Sequence, residues 1–245
     1  MAPPCLVHEG WASDEHFTAN GTLIGSLTSL KSLVRKDGGE AQKVQSAKDE
    51  DPGNPTIHFR GEPRRNDTHQ SATDPESVLY RKGPGKEARL CFGGLVLMDN
   101  RHGLCADLTL HDPIAEPEPI MALRQIQAHQ NLHAGAQVKT VGADKAHHRR
   151  DFVAACWEQN TVPHVPCKDG VSVPGLDGRT TRQARYRLSQ KIRQRVEEIL
   201  GRIKTVGGLR RSRSRGKERT QAWGCFVAGT YNLLRMARLN LAGAR

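Results

Sequence analysis

Several common signals are missing from this chain of 245 residues. No stretch approaches the ~18 apolar residues of a membrane-spanning helix, and the N-terminal segment MAPPCLVHEGW has neither the basic flank nor the apolar run of a signal peptide. The six cysteines form no C-x2-C pair. Cys156, His164 and Cys167 could bind zinc, but without a second close pair we expect unpaired, reduced thiols. These absences favour a cytoplasmic protein without membrane contact.

Aromatic and hydrophobic residues are also scarce, at 4% and 36% of the sequence. A chain of this length can bury a sizeable core, so a composition this lean predicts an irregular polar portion somewhere along it. Residues 36–70 fit that description, because they are rich in Gly, Pro and charge and show no periodicity. We interpret them as a loop or a disordered insertion.

Acidic residues are nearly absent from the last part of the chain. From Arg179 to the C-terminus there are 18 Lys and Arg but three Glu, whereas the preceding residues hold 19 Lys and Arg against 23 Asp and Glu. This asymmetry predicts a surface for a polyanion, most directly nucleic acid. A run of cations within this region is either a solvated loop or a phosphate-binding segment without base readout: Arg210, Arg211, Arg213, Arg215, Lys217 and Arg219.

The most strongly patterned stretch runs from Leu188 to Leu209. At about 100° per residue, its apolar residues fall on one stripe of a helix. The stripe comprises Leu188, Ile192, Val196, Ile199, Leu200, Ile203 and Val206. We therefore predict one amphipathic helix, which ends in the left-handed conformation that Gly207 and Gly208 favour.

Two adjacent glutamates lie on different faces of this helix. Glu198 aligns with Arg202 at i+4 spacing, which is typical of a surface ion pair. Glu197 lies at the margin of the apolar stripe, on a narrow row with Arg193 and Lys204. Cations on both sides would hold its carboxylate in the charged form and present it to a metal or a proton.

The remaining secondary structure follows from periodicity and turn residues. Two apolar runs, 88–100 and 103–112, predict an antiparallel hairpin. Asp74 and Pro75 indicate a turn. Further elements are expected as helices at 120–129 and 151–158, strands at 137–142 and 162–165, and a final helix, 221–239, with core residues Trp223, Phe226, Val227, Tyr231, Leu234 and Leu239.

The spacing R-x3-E-x6-K at Arg193, Glu197 and Lys204 resembles the glutamate signature of DDE transposases from bacterial insertion sequences, of the insertion-sequence-five type. The segment DEHFTANGTLIGSLTSLKSL resembles the first-strand block of that family, and THQSATDPESVLYRKGPGKEARL resembles a second block. GADK resembles the segment with the second catalytic acid, here Asp144. The likeness covers roughly residues 12–236.

Some positions depart from the family pattern. Asn20 stands where the family has its first catalytic Asp, and Gln190 stands where a Tyr usually precedes the signature. Taken alone, Asn20 and Gly21 predict a hairpin turn instead of a strand. His147 and His148 replace a Tyr-Asp pair after the second acid, and they are either metal ligands or substitutions in a turn.

The resemblance implies an α/β fold of ribonuclease H type, in which helices flank a mixed sheet. The catalytic domain would span 16–239, after an N-terminal remnant at 1–15 and before a tail at 240–245. The polar insertion at 36–70 would follow the first strand.

The resemblance also implies a site with three acidic positions: Asn20, Asp144 and Glu197. Two Mg²⁺ or Mn²⁺ ions, with Asp144 and Glu197 as ligands, would promote in-line phosphoryl displacement on DNA. Arg193 and Lys204 would neutralise phosphate charge.

The implied reaction is DNA strand cleavage at the ends of a mobile element and transfer into target DNA, with a homodimer on DNA as a further expectation. Asn20 brings no negative charge, and the N-terminal helical region of the family has no counterpart here. We therefore expect a truncated, degenerate transposase with reduced or absent cleavage. The alternative is a nucleic-acid-binding remnant without catalysis, whose binding is independent of metal and steeply dependent on salt.

Overall fold

The computed structural model describes residues 15–37, 58–59, 62–83, 85–132 and 137–243. The strands in this part are β1 (His16–Gly25), β2 (Leu33–Arg35), β3 (His58–Phe59), β4 (Glu62–Pro63), β5 (His69–Ser71), β6 (Val78–Tyr80), β7 (Arg89–Asp99), β8 (Cys105–His111), β9 (Thr140–Gly142) and β10 (Val162–His164). The helices are α1 (Glu118–Leu132), α2 (Arg150–Glu158), α3 (Gly178–Thr181), α4 (Ala184–Arg193), α5 (Arg195–Thr205) and α6 (Lys217–Gly243).

A mixed sheet of six strands forms the centre of the fold. β10, β9, β1 and β7 are neighbours in that order, and β6 and β8 share the far edge of β7. β1 is antiparallel to β7 and parallel to β9, which is parallel to β10. Helices pack on both faces, so the predicted α/β class with a mixed sheet flanked by helices is confirmed.

Side chains of β1 alternate between two hydrophobic cores. Phe17 and Ala19 pack with α1 and α2 on one face. Ile24 packs with α5 and α6 on the other face. β7 lies beside β1, and ten of its eleven residues are buried, because helices cover both of its faces.

The Asn-Gly dipeptide does not form a hairpin turn. Asn20 and Gly21 lie in the middle of β1 and pair with Val96 and Leu95 of β7. The hairpin alternative was wrong because continuous pairing with β7, from Phe17 to Gly25, keeps this part of β1 extended. The predicted hairpin over 88–112 is confirmed: β7 and β8 are antiparallel, and Gly103 takes a φ of +72° in the turn between them.

The predicted single helix from Leu188 to Leu209 is wrong. The chain breaks at Gln194 into α4 and α5, and α5 ends at Thr205. α4 packs on β9 and β10 whereas α5 packs on β1 and β7, so the break lets each helix follow a different part of a twisted sheet.

The apolar stripe of this segment is also shorter than predicted. Leu188 is 57% exposed and Val206 is 79% exposed. The part of the stripe in α5 is confirmed, with Val196, Ile199, Leu200 and Ile203 buried. The glycine stop is confirmed as well, because Gly208 has a φ of +66°.

The last helix is longer than predicted, and its core assignments hold only in part. Val227 and Tyr231 are buried. Phe226 and Leu234 were expected in the core but are 66% and 54% exposed. They line an open groove between α5 and α6.

Short strands form at both ends of the polar insertion. β2 pairs with β5, which joins Leu33 to Ser71 and Arg35 to His69, and β3 pairs with β4. The prediction of a loop is therefore wrong at 58–59, 62–63 and 69–70, whereas residues 36–37 and 64–68 are turn or loop. Residues 38–57 and 60–61 of this prediction lie outside the described residues.

The turn predicted at Asp74 also anchors the last helix. Ser77 N–H donates to the Asp74 carbonyl at 3.1 Å, which closes the turn. The buried Asp74 carboxylate accepts from Ser26 Oγ at 2.8 Å and from Gly216 N–H at 3.0 Å. Glu76 accepts from the Lys217 backbone N–H at 2.8 Å. Two acids from one turn thus hold the start of α6.

The other predicted elements need small corrections. The strand expected at 137–142 is confined to Thr140–Gly142, while the helix expected at 120–129 extends over Glu118–Leu132. The helix at 151–158 and the strand at 162–165 are confirmed within one residue at each end. In the described part of the chain, no helix is both long and apolar enough to cross a bilayer.

Acid is expected to destabilise the fold through His164. This side chain is 1% exposed, and neither ring nitrogen has a hydrogen-bond partner among the described residues. Burial, together with the charges of Arg185 and His16, lowers the pKa of His164 from 6.5 to about 4. Below pH 6.5 the unfolded chain binds a proton that the native chain does not, so stability falls as the pH falls towards 4.

Through His164, the wild type should lose about 3 kcal/mol of unfolding free energy between pH 7 and pH 4. We expect His164→Leu to abolish this loss. Urea unfolding at both pH values measures this difference. His69→Leu, at a half-exposed histidine, should keep the wild-type pH dependence. An unchanged dependence in the His164 variant would contradict the assignment.

Candidate active site

Two of the sequence-predicted site residues meet across the molecule. Asn20 Nδ2 donates a hydrogen bond to Glu197 Oε1 at 2.8 Å, although the two residues are 177 positions apart. Asn20 is 8% exposed, and Glu197 lies at the exposed margin of α5. Because a carboxylate only accepts hydrogen bonds, the amide turns its N–H side towards Glu197.

The third predicted position, Asp144, follows β9. Thr18 pairs with Gly142 in the parallel ladder, and two residues further along both chains are Asn20 and Asp144. Asp144 Oδ1 accepts from the Ala146 N–H at 2.9 Å and lies 2.8 Å from His147 Nδ1. The hydrogen bond to His147 holds the pKa of Asp144 below its usual range, and the charge of Arg193 acts in the same direction.

The two histidines after Asp144 have structural contacts. His147 is buried and bonded to Asp144, and its ring packs edge-on against Phe152 with centroids 5.0 Å apart. His148 is buried, and its Nδ1 accepts from the Lys168 N–H at 3.3 Å. These contacts support the interpretation of substitutions in a turn.

Neither predicted supporting cation forms an ion pair with Glu197 in the described part. Arg193 acts on Asp144 instead, and its buried Nε has no hydrogen-bond partner among the described residues. Lys204 is half-buried, and burial lowers its pKa, as do the charges of Lys82 and Arg210. The charge of Glu197 acts on the pKa of Lys204 in the opposite direction, so these two side chains interact without forming an ion pair.

Sequence reasoning missed Glu118 in the first turn of α1. Its carboxylate lies against Gly21, so that a Cβ on Gly21 would overlap it. A helix N-terminus favours the charged form of an acid, but burial outweighs this and raises the pKa of Glu118, and the charge of Asp144 raises it further. The signal in the sequence was Gly21 itself, since an isolated Gly in a strand indicates a close approach by another group.

Lys82 was also missed as a site residue. It lies in the RKGPGK segment, and its charge acts on both Glu118 and Lys204. The segment carried part of the family resemblance without any assigned role.

The predicted DNA-binding run has two kinds of residue. Arg211 is structural: its Nε donates to the Ser26 carbonyl at 2.8 Å and its Nη2 to the Leu27 carbonyl at 2.6 Å. Lys217 is half-buried, and Arg213 lies over the Trp223 ring, with Cζ 5.2 Å from the centroid. The exposed side chains without a hydrogen bond or ion pair in the described part are Arg210, Arg215 and Arg219.

The side chains as they stand do not fit a pair of divalent cations. Within the described ranges, no three His, Cys, Asp or Glu side chains gather closely enough to hold a metal ion. Asn20 supplies an amide where the implied site needs a charge, and its N–H occupies one oxygen of Glu197. The two ions implied by the resemblance stay a prediction.

Comparisons with protein-family models, with curated proteins and with solved structures find no match to this chain. What the site can do follows from its side chains. Asp144 lies close enough to interact with both Glu118 and Arg193, Lys82 acts on Glu118, and Glu197 acts on Lys204. Such a mixture can hold a phosphate group while keeping acidic groups beside it.

The contact between Asn20 and Glu197 can be tested with a double-mutant cycle. Asn20→Ala and Glu197→Ala should show a coupling of about 1 kcal/mol in urea unfolding, because each removes the same hydrogen bond. Glu198 offers a matched control, since it contacts Arg202 on the exposed face at 3.1 Å. A coupling to Asn20 that is no larger for Glu197 than for Glu198 would contradict the contact.

Glu118→Gln is expected to stabilise the protein at pH 7. A native pKa above 4.5 means that ionising Glu118 costs the folded state free energy, and this cost is fully present at neutral pH. The gain should shrink as the pH falls towards 4, where both states are protonated. Glu116→Gln is the control, because it removes the ion pair with Arg124 at 2.6 Å and should not stabilise. Urea unfolding across this pH range would contradict the assignment if Glu118→Gln were neutral at pH 7.

Proposed function

We propose that this chain is a DNA phosphoryl-transfer protein of the DDE transposase type, with a ribonuclease H-like domain whose first acid is replaced by Asn20. The observation that carries the proposal is the hydrogen bond between Asn20 and Glu197. The family resemblance assigns these two residues to the first and third positions of one catalytic triad. Chance would seldom bring together two such positions 177 residues apart.

The strand arrangement supports the proposal. Asp144 leaves the carboxyl end of β9 beside the central strand β1, which is where open α/β sheets collect functional side chains. Three antiparallel strands, β1, β7 and β8, precede two parallel strands that are reached through helices. This order fits a ribonuclease H-like domain.

The residues of the chain have separate parts in the proposed chemistry. Arg193, Lys82 and Lys204 would bind the phosphate and neutralise charge that develops on it. Asp144 and Glu197 provide two of the three acidic positions that in-line displacement requires in this family. Because Asn20 provides no third charge, we expect strand cleavage by the wild-type chain to be strongly reduced or absent.

DNA is the proposed partner, and the cytoplasm is the proposed location. Arg210, Arg215 and Arg219 are exposed and can contact phosphates without reading bases. Each phosphate contact makes binding more sensitive to salt. A homodimer on DNA remains part of the proposal.

A second candidate is a nucleic-acid-binding protein without catalysis. The observation that favours it is the same amide, since Asn20 satisfies Glu197 with a neutral hydrogen bond in place of a shared cation. It predicts binding that does not depend on divalent metal. The two candidates differ in what happens when the missing charge is restored.

Asn20→Asp is the variant that tests the proposed function. It should switch on Mn²⁺-dependent nicking of supercoiled DNA, and Asn20→Asp/Glu197→Ala should abolish the nicking. Asn20→Asp/Glu198→Ala is the matched control and should keep it. Without metal, Asn20→Asp should also lower the melting temperature, because two carboxylates would face each other at the present contact, and Mn²⁺ should restore it.

One combination of results for Asn20→Asp would contradict the catalytic proposal. If Asn20→Asp is folded and binds DNA, but neither nicks nor gains stability from Mn²⁺, the catalytic proposal fails. The binding protein without catalysis then becomes the better description.

A further inference from the structure

A groove with a cavity volume of about 320 Å³ separates the end of α5 from α6. The groove lies close to Glu197. Ile203, which lines the groove, follows Glu197 by six residues on the same helix. That separation is about 9 Å along the helix axis. The groove is lined mainly by apolar side chains with two arginines, among them Arg202, Ile203, Val206, Arg213, Trp223 and Phe226.

Two aromatic rings form one wall of the groove. Trp223 and Phe226 are stacked, with ring centroids 5.6 Å apart and an angle of 25° between the planes. The Arg213 guanidinium lies 5.2 Å from the centroid of the Trp223 ring. Phe226 is 66% exposed, so its ring is accessible to a flat apolar ligand. Stacked rings with an arginine beside them are suited to nucleobases.

The apolar surface continues beyond the two rings. Val206 is 79% exposed and Leu234 is 54% exposed, and both line the groove. Exposed apolar side chains that adjoin one another mark a binding surface more often than scattered ones do. The groove thus combines an apolar floor with aromatic rings at its side.

The charged side chains around the groove are positive, which favours a negatively charged ligand. Arg202 and Arg213 line it, and Arg219 lies one helical turn before Trp223 on the same side of α6. Among the described residues, no acid lines the groove, and Arg202 contacts Glu198 at 3.1 Å. A second copy of this chain would bring the same cations against these, which is unfavourable, whereas a polyanion is complementary.

We propose that this groove binds unpaired bases of single-stranded nucleic acid. Bases would stack on the exposed ring of Phe226, which Trp223 supports from behind, and phosphates would contact Arg202, Arg213 and Arg219. Bases within a duplex cannot reach the rings, because they are stacked inside the helix, so the groove selects unpaired ones. This inference rests on the proposed function, in which the chain binds DNA and acts on its strands near Glu197.

The test uses the full chain and a single-stranded oligonucleotide of roughly 12 nucleotides that carries 2-aminopurine. Binding should quench the 2-aminopurine fluorescence through stacking. Phe226→Ala should weaken single-strand binding roughly tenfold and leave duplex binding unchanged. Leu233→Ala is the matched control, since Leu233 is 69% exposed on the same helix and does not line the groove.

Two results would overturn the inference. One is single-strand binding by Phe226→Ala equal to that of Leu233→Ala. The other is self-association of the wild type that Phe226→Ala abolishes while single-strand binding stays intact, which would assign the groove to a second copy.

The nicking assay keeps this inference separate from the proposed function. If Asn20→Asp nicks DNA while Phe226→Ala binds single strands normally, only the groove inference fails. If Asn20→Asp is inert while Phe226→Ala loses single-strand binding, the catalytic proposal fails and the base-binding groove stands.

Discussion

β1 pairs with β7 along nine consecutive residues, from Phe17 opposite Asp99 to Gly25 opposite Cys91. A shift of this register by one residue would exchange the two faces of the strand. Phe17 and Ala19 would leave the core under α1 and α2, and Asn20 would no longer face α5. The same pairing that builds both hydrophobic cores therefore fixes the candidate site.

Several ionisable groups of the site are less easily charged in the folded protein than in water, because they are partly buried or lie near like charges. Gly21 leaves room for the carboxylate of Glu118, which burial makes harder to ionise. Asp144 stays charged through its bond to His147, and the charge of Lys204 is disfavoured by burial and by neighbouring cations. Pairs of groups whose environments push their pKa values apart are typical of sites that handle protons or phosphate.

The cations of the C-terminal part fall into two groups. Arg211 donates hydrogen bonds to the backbone carbonyls of Ser26, Leu27 and Thr28, which follow β1. Part of the basic run therefore stabilises the contact between the C-terminal part and the sheet. Arg213 covers Trp223, while Arg215 and Arg219 remain exposed. A count of cations predicts a polyanion, but only the contacts separate the structural arginines from those able to bind it.

Local patterns in the sequence determined most of the longer elements and the contrast between Glu197 and Glu198, because helical and strand periodicity are properties of neighbouring residues. The hairpin of β7 and β8 and the buried stripe of α5 follow from them. Only the tertiary structure decided the break at Gln194, the anchoring of α6 by Asp74, and the approach of Glu118 to Gly21. These depend on sheet twist and on contacts across about a hundred residues or more, and no local spacing in the chain encodes such distances.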